Sequence, residues 1–147
     1  MSKSLFRAFS KAGQVPRELI LETFQKAGIG EDDPRASAFY RALRKAPETL
    51  SEDEFQKLQD LTPTLFEQVL SGQLAISNLP EFVSEVEAIF ARVEENRSGQ
   101  LANYIPQLER VDPEKFALSI CSIDGQRFSL GDSDDFFCVQ SCSKPIT

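Results

Sequence analysis

Residues 115–132 read KFALSICSIDGQRFSLGD, and they decide the fold class of the chain. Phe116, Leu118 and Ile120 alternate with smaller or polar residues, which is the period of a strand with one covered face. Asp124-Gly125 comes next, followed by a second run through Arg127, Phe128 and Ser129. Asp-Gly between two such runs is a strong hairpin signal, because both residues tolerate the left-handed backbone of a tight turn. A second apolar run, FFCVQ, leads into SCSKP, read as a connection and the beginning of a helix. Upstream of Arg97-Ser98-Gly99 the code is different and almost everything has a helical period. The expected class is therefore α+β, with a helical region over 1–97 and a hairpin-bearing region over 98–147.

The helical region is punctuated by start and stop signals. Leu5, Phe6 and Phe9 share one side of a first short helix, which is preferred to a transit peptide because no small-residue cleavage region follows. Pro16 opens a second helix carrying Ile20, Phe24 and Ala27, and Gly28 and Gly30 close it. Asp33 is expected to cap a third helix with Pro34 in its first turn and Ala36, Phe39, Tyr40 and Leu43 on its apolar face. LSEDEF spells a capping box of Ser51 and Glu54 flanked by Leu50 and Phe55. Thr62-Pro63 repeats the cap-then-proline device before Phe66, Val69 and Leu70. The longest helix is expected from about Pro80 to Glu94, with Phe82, Val86, Ile89 and Val93 on one face.

Composition narrows the chemistry. The formal charge of −7 argues against nucleic-acid and anionic-membrane partners, and no apolar run is long enough to cross a bilayer. Histidine is absent, so no Ser-His-Asp or Cys-His mechanism operates within this chain and a zinc site is disfavoured. Cys121, Cys138 and Cys142 have no metal-ligand spacing and suggest a reducing compartment, with the thiols expected buried or semi-buried. The acidic stretches GIGEDDPRASAF, APETLSEDEF and GDSDDFF lack the alternating oxygens and terminal glutamate of a calcium loop, so EF-hand-shaped helix pairs are expected without calcium ligands. No metal and no cofactor are expected.

One pair does invite catalysis. Ser141 and Lys144 stand three apart in SCSK, close enough on a helix for the amine to reach the hydroxyl. A serine hydroxyl needs a neighbour to take its proton, and lysine serves only when its surroundings keep it neutral. A helix N-terminus assists, since its amides stabilise an oxyanion and its positive end disfavours an ammonium. Ser-x-x-Lys alone is a weak motif; the hairpin before it and Pro145 after it match the setting of Ser-x-x-Lys acyl-transfer enzymes.

Several stretches in register go further. LANYIPQLERVDPEKFALSICSIDGQRFSLGD followed by FCVQSCSKP closely resembles the serine-dependent glutaminases, amidohydrolases with a β-lactamase-like catalytic domain. The helical part resembles the EF-hand-like region of the long-form enzymes. This resemblance implies that Ser141 is the nucleophile on the glutamine side-chain amide and Lys144 its activating partner. It implies that Tyr104 lines the glutamine pocket close to the serine and that Gln140 contacts substrate. The implied substrate is L-glutamine, and the intact enzyme is expected to be a cytoplasmic or mitochondrial homo-oligomer. The asparagines, glutamate and further tyrosines that grip substrate in that family would follow Lys144-Pro145. The expectation is accordingly an N-terminal fragment ending in the first turn of the nucleophile helix and inactive alone. The alternative is a non-catalytic helical oligomerisation or protein-binding module.

Overall fold

The computed structural model describes residues 2–145. Their contacts gather into two compact units. The first joins Met1–Ser84 to Ile120–Phe128, and the second joins Glu85–Ser119 to Ser129–Thr147.

In the first unit, α1 (Ser2–Phe9), α2 (Arg17–Lys26), α3 (Ser37–Lys45), α4 (Glu52–Leu61) and α5 (Pro63–Ser71) follow one another, and α6 (Leu79–Glu94) begins. The link between α1 and α2 contains β1 (Val15–Pro16), and the link between α3 and α4 contains β2 (Thr49–Leu50). These two short strands pair antiparallel, with Val15 opposite Leu50 and Pro16 opposite Thr49. Two helix–loop–helix units are thus joined loop to loop. Arg17 reinforces the junction, donating from its backbone to Glu48 O at 2.8 Å and from its guanidinium to Ala46 O at 2.7 Å.

The apolar faces read from the sequence converge there. Ile20, Phe24, Ala36, Phe39, Leu50 and Phe66 are completely buried, and Tyr40 and Phe55 nearly so. Phe24 stacks on Phe39 at 4.2 Å, while Phe66 meets Phe55 edge to face at 5.2 Å. Large rings do most of the covering, each adding roughly 2–3 kcal/mol of apolar burial.

The starts of the helices follow their signals unevenly. At α4 the capping box is complete: Ser51 Oγ accepts from Glu54 N, and Ser51 N donates back to the Glu54 carboxylate at 2.8 Å. Those donations from Ser51 hold the Glu54 carboxyl below its ordinary pKa. At α3 the expected Asp33 cap is replaced. The helix begins at Ser37, and the buried Asp33 carboxylate instead receives Arg35 Nε at 3.0 Å, Arg35 NH2 at 2.6 Å and Arg35 N at 2.9 Å. A bidentate guanidinium satisfies both carboxylate oxygens at once, which a lone helix amide does not. Pro63 opens α5 as expected, but the Thr62 hydroxyl makes no cap bond.

α6 forms over nearly the expected span, yet its apolar face is not covered in the expected way. Phe82 is 37% exposed, Ile89 49% and Val93 50%. Helical periodicity dictates which residues share a face; it does not dictate what covers that face.

The hairpin consists of β3 (Ala117–Cys121) and β4 (Arg127–Gly131). Its inward residues Leu118, Ile120, Phe128 and Leu130 are half-buried between exposed neighbours, the alternation the sequence predicts. The turn is longer than Asp-Gly alone. Ser122 N donates to Gln126 O at 2.9 Å and Gly125 N to Ser122 O at 3.0 Å, enclosing Ile123-Asp124-Gly125. Gly125 has φ +86°, so it supplies the left-handed residue that closes a three-residue loop.

In the second unit, Phe90 packs on Phe116 with ring centres 4.7 Å apart. A short helix, α7 (Pro106–Glu109), follows the irregular stretch after α6. Asp132 brackets the base of β3, donating from its N to Phe116 O at 3.0 Å and accepting from Phe116 N on its carboxylate at 3.0 Å. Phe136–Val139 adopt no regular structure, and a 3-10 turn, Gln140–Ser143, follows. The architecture is α+β, with two separate two-stranded antiparallel sheets among the described residues.

Candidate active site around Ser141

Ser141 lies in the 3-10 turn, within the second unit. The turn is entered sharply, because Gln140 has φ +44°. A non-glycine residue in this region costs of order 1 kcal/mol or more and persists only where its surroundings hold it. Two local bonds do so: Cys142 N donates to Val139 O at 2.9 Å, and Ser143 Oγ donates to Gln140 O at 2.9 Å. A strained residue feeding a helical turn lifts the next side chain out of the chain path, the logic by which nucleophiles are presented at strand-to-helix turns.

The side chain of Gln140 has a distant partner. Tyr104 OH donates to Gln140 Oε1 at 3.2 Å, across 36 residues of sequence. Tyr104 precedes α7 in the NYIPQL stretch and is 69% exposed. Two residues that sequence resemblance marks as substrate-lining thus meet beside the serine.

Ser141 and Lys144 are both exposed, and Lys144 N donates to Ser141 O at 3.2 Å. The backbone therefore continues as one turn from serine to lysine, which sets both side chains on neighbouring positions of that turn. Among the described residues no hydrogen bond joins the hydroxyl to the amine. A 3-10 turn replaces the expected first turn of an α-helix here, and it is tighter and shorter.

The second unit also carries an apolar groove. It has a volume of about 410 Å³ and is walled by Leu108, Val111, Phe116, Phe136 and Phe137, with Lys115 and Asp135 at its edge. Asp135 ion-pairs with Lys115 and holds that ammonium above its ordinary pKa. None of Tyr104, Gln140, Ser141 or Lys144 lines this groove. The cysteines correct one expectation: Cys121, Cys138 and Cys142 are free, but all three are exposed. Cys138 precedes the turn that contains Cys142, so no common helix buries them. Among the described residues no cluster of three or more His, Cys, Asp and Glu converges as a metal site, and no helix is long and apolar enough to cross a membrane.

Sequence reading missed Gln126, which it passed over as a turn residue in DGQR. It is 1% exposed. A glutamine inside a turn carries no burial signal, and only the fold reveals what surrounds it.

The Glutaminase family model matches residues 99–147. Over 146 residues, 92% of the chain, it is 34% identical to a Caenorhabditis elegans protein named putative glutaminase 3, of which it spans 25%. It is 31% identical over 140 residues, 91% of the chain, to the mouse protein named glutaminase liver isoform, mitochondrial, of which it spans 23%. Against a Corynebacterium glutamicum glutaminase it is 42% identical over 68 residues, 46% of the chain and 16% of that protein. Residues 99–147 thus match the glutaminase family, and most of the chain is similar to proteins named glutaminase. It spans about a quarter of the length of the longer relatives named here.

Proposed function

We propose that this chain carries the nucleophile segment of an amidohydrolase that converts L-glutamine and water to L-glutamate and ammonia. The observation that carries the reading is the Tyr104–Gln140 hydrogen bond, made beside Ser141 between two stretches that resemblance assigns to one pocket. Ser141 Oγ attacks the side-chain amide carbon of glutamine, and its proton passes to the Lys144 amine. That proton then goes to the departing nitrogen, ammonia leaves, and a glutamyl ester remains on Ser141. Water adds to the ester, the acyl–oxygen bond breaks, and glutamate and the free hydroxyl are restored. Tyr104 and Gln140 hold the substrate amide against the serine, and the sharp turn at Gln140 orients it.

Residues 98–147 are, on this reading, the opening of a β-lactamase-like catalytic domain, and residues 1–97 an EF-hand-like region without calcium ligands. The loop-to-loop pairing of β1 and β2 supports the latter, since it joins two helix pairs as EF-hand loops are joined. The name of the mouse relative supports a mitochondrial setting over a cytoplasmic one. A homo-oligomer is expected of the intact enzyme. The 147 residues alone are expected to be inactive, because Ser141 and Lys144 stand exposed, without the dry, polar enclosure that such chemistry uses.

Ammonia release from L-glutamine is the test, on the 147-residue chain and on the chain extended with the remaining catalytic region of the C. elegans relative. The extended form should turn over, and Ser141→Ala should lower kcat by roughly a thousandfold or more. Turnover by Ser141→Ala would remove the serine mechanism, and turnover by the short form would remove the account of its inactivity.

A second reading, a helical protein-binding module, draws on the confinement of the buried residues, among those described, to the first unit. Sedimentation of the 147-residue chain tests it: self-association that survives deletion of the Ser141 hydroxyl favours the module, and a monomer counts against it.

A further inference from the structure

The tip of the hairpin holds a polar cluster that catalysis does not use. Gln126 is one of the few buried polar side chains, and its amide is fully engaged. Nε2 donates to Ala27 O at 3.1 Å and to Ile76 O at 2.9 Å, while Oε1 accepts from Ile76 N at 2.8 Å. Two carbonyls and one N–H face the amide, so only one orientation of its oxygen and nitrogen fits. Ala27 follows α2 and Ile76 precedes α6; the side chain therefore bridges two loops of the helical region, 99 and 50 residues away in sequence.

The neighbours of Gln126 repeat the pattern. The Asp124 carboxylate accepts from Ala75 N at 2.5 Å, and the Asp124 carbonyl accepts from Arg35 NH2 at 2.6 Å. Arg127 N donates to Gly28 O at 2.9 Å, and its guanidinium pairs with Asp32 at 3.1 Å. Phe128 meets Phe82 edge to face at 6.0 Å. The bonds to Ala27 O, Gly28 O, Ala75 N and Ile76 satisfy backbone groups of the segments that follow α2 and precede α6, which would otherwise need water, and this is what makes such a cluster costly to break.

We infer that the hairpin tip, residues 122–127, is a docking key of the helical region, with Gln126 as the positioning residue that makes the tip and the helices of the first unit fold together. The helical region is then a scaffold for this tip, which lies within the glutaminase-matched residues. The docking is independent of the proposed function.

Hydrogen exchange on the 147-residue chain tests the docking without substrate, so an inactive enzyme leaves it standing and a free-swinging tip leaves the reaction standing. In the unmodified chain the Ile76, Ser122 and Arg127 amides should open together with the core amides of α2 and α5. Exchange of these tip amides at unfolded rates while α2 and α5 stay protected overturns the inference. Gln126→Glu provides a pH signature. Ionised, it presents no donor to the two carbonyls, and exchange at Ile76 and Arg127 should quicken roughly ten- to a hundredfold. Acidification restores one donor, so protection, corrected for intrinsic rates, should return in part. Gln126→Leu should lose protection with no such recovery. Undiminished protection in ionised Gln126→Glu, or the same pH response in Gln126→Leu, overturns the assignment. If Gln126→Glu does not fold, Asp124→Asn, which keeps its shape and weakens the bonds its carboxylate accepts from Ala75 N and Ser122 Oγ, should quicken exchange at Ala75 and Ile76 together; an unchanged rate at both counts against the key.

Discussion

Replacing Tyr40 by phenylalanine removes one oxygen from the middle of the helical core. That hydroxyl donates to Ile29 O at 2.5 Å, and both residues are buried, Tyr40 at 2% exposure and Ile29 at none. The variant keeps the ring, so packing against Phe24 and Phe39 survives, and the loss is that of a donor from a buried carbonyl. Such a loss costs about 1–3 kcal/mol, most of it the unpaid desolvation of the carbonyl. In a domain of this size that is a fall of roughly 3–6 °C in Tm per kcal/mol.

The same hydroxyl gives the effect a pH dependence. Burial pushes the Tyr40 phenol up from 10.0 to about 12, assisted by the charges of Glu31 and Asp32. A folded pKa above the unfolded one means that the stabilisation is fully present below pH 10 and is lost as pH rises through about 12. That interval corresponds to about 2–3 kcal/mol, so the advantage of the native chain over Tyr40→Phe should shrink across it and vanish near its top. Urea unfolding followed by circular dichroism at a series of pH values measures the difference. Ultraviolet absorbance of tyrosinate, native minus Tyr40→Phe, follows the phenol itself. Parallel stability curves for the two proteins throughout this window, or equal stability at neutral pH, would refute the reasoning.

Gly28 is left-handed at φ +72°, and a Cβ there would collide with Leu79 and press on the Arg127 backbone at 3.3 Å. Gly28→Ala should therefore cost about 2 kcal/mol or more, read as a fall in Tm, and a change under one degree would contradict the contact. Ser51→Ala should lose about 1 kcal/mol of stability by removing the cap of α4, whereas Ser51→Asp should retain most of it. Equal Tm values for Ser51→Ala and the parent would show that the capping box carries no stability here.

Some of this protein was readable directly in its residues because it is local. The capping box at Ser51 and Glu54 needs only four neighbouring residues, and the alternation through Leu118 and Ile120 needs only one strand. Which faces are apolar is likewise a matter of period, and Ile20, Phe24, Phe39 and Phe66 lie buried where the period put them. Partner choice is not local. Asp33 reads as a cap of α3, but its carboxylate is taken by the guanidinium and the backbone amide of Arg35 two residues away, and the helix begins only at Ser37. The α6 face at Ile89 and Val93 reads as core yet stands half exposed, because burial depends on what the rest of the chain brings to that face.

The candidate site divides along the same line. Ser141, Lys144, Gln140 and Tyr104 were found by motif spacing and resemblance, since the pattern of residues along the chain carries that information. The hydrogen bond between Tyr104 and Gln140, and the left-handed turn that presents Ser141, were decided by tertiary structure. Gln126 was decided by tertiary structure alone. Its amide is an ordinary turn residue until Ala27 and Ile76 close around it, and three hydrogen bonds spanning up to 99 residues have no trace in local sequence.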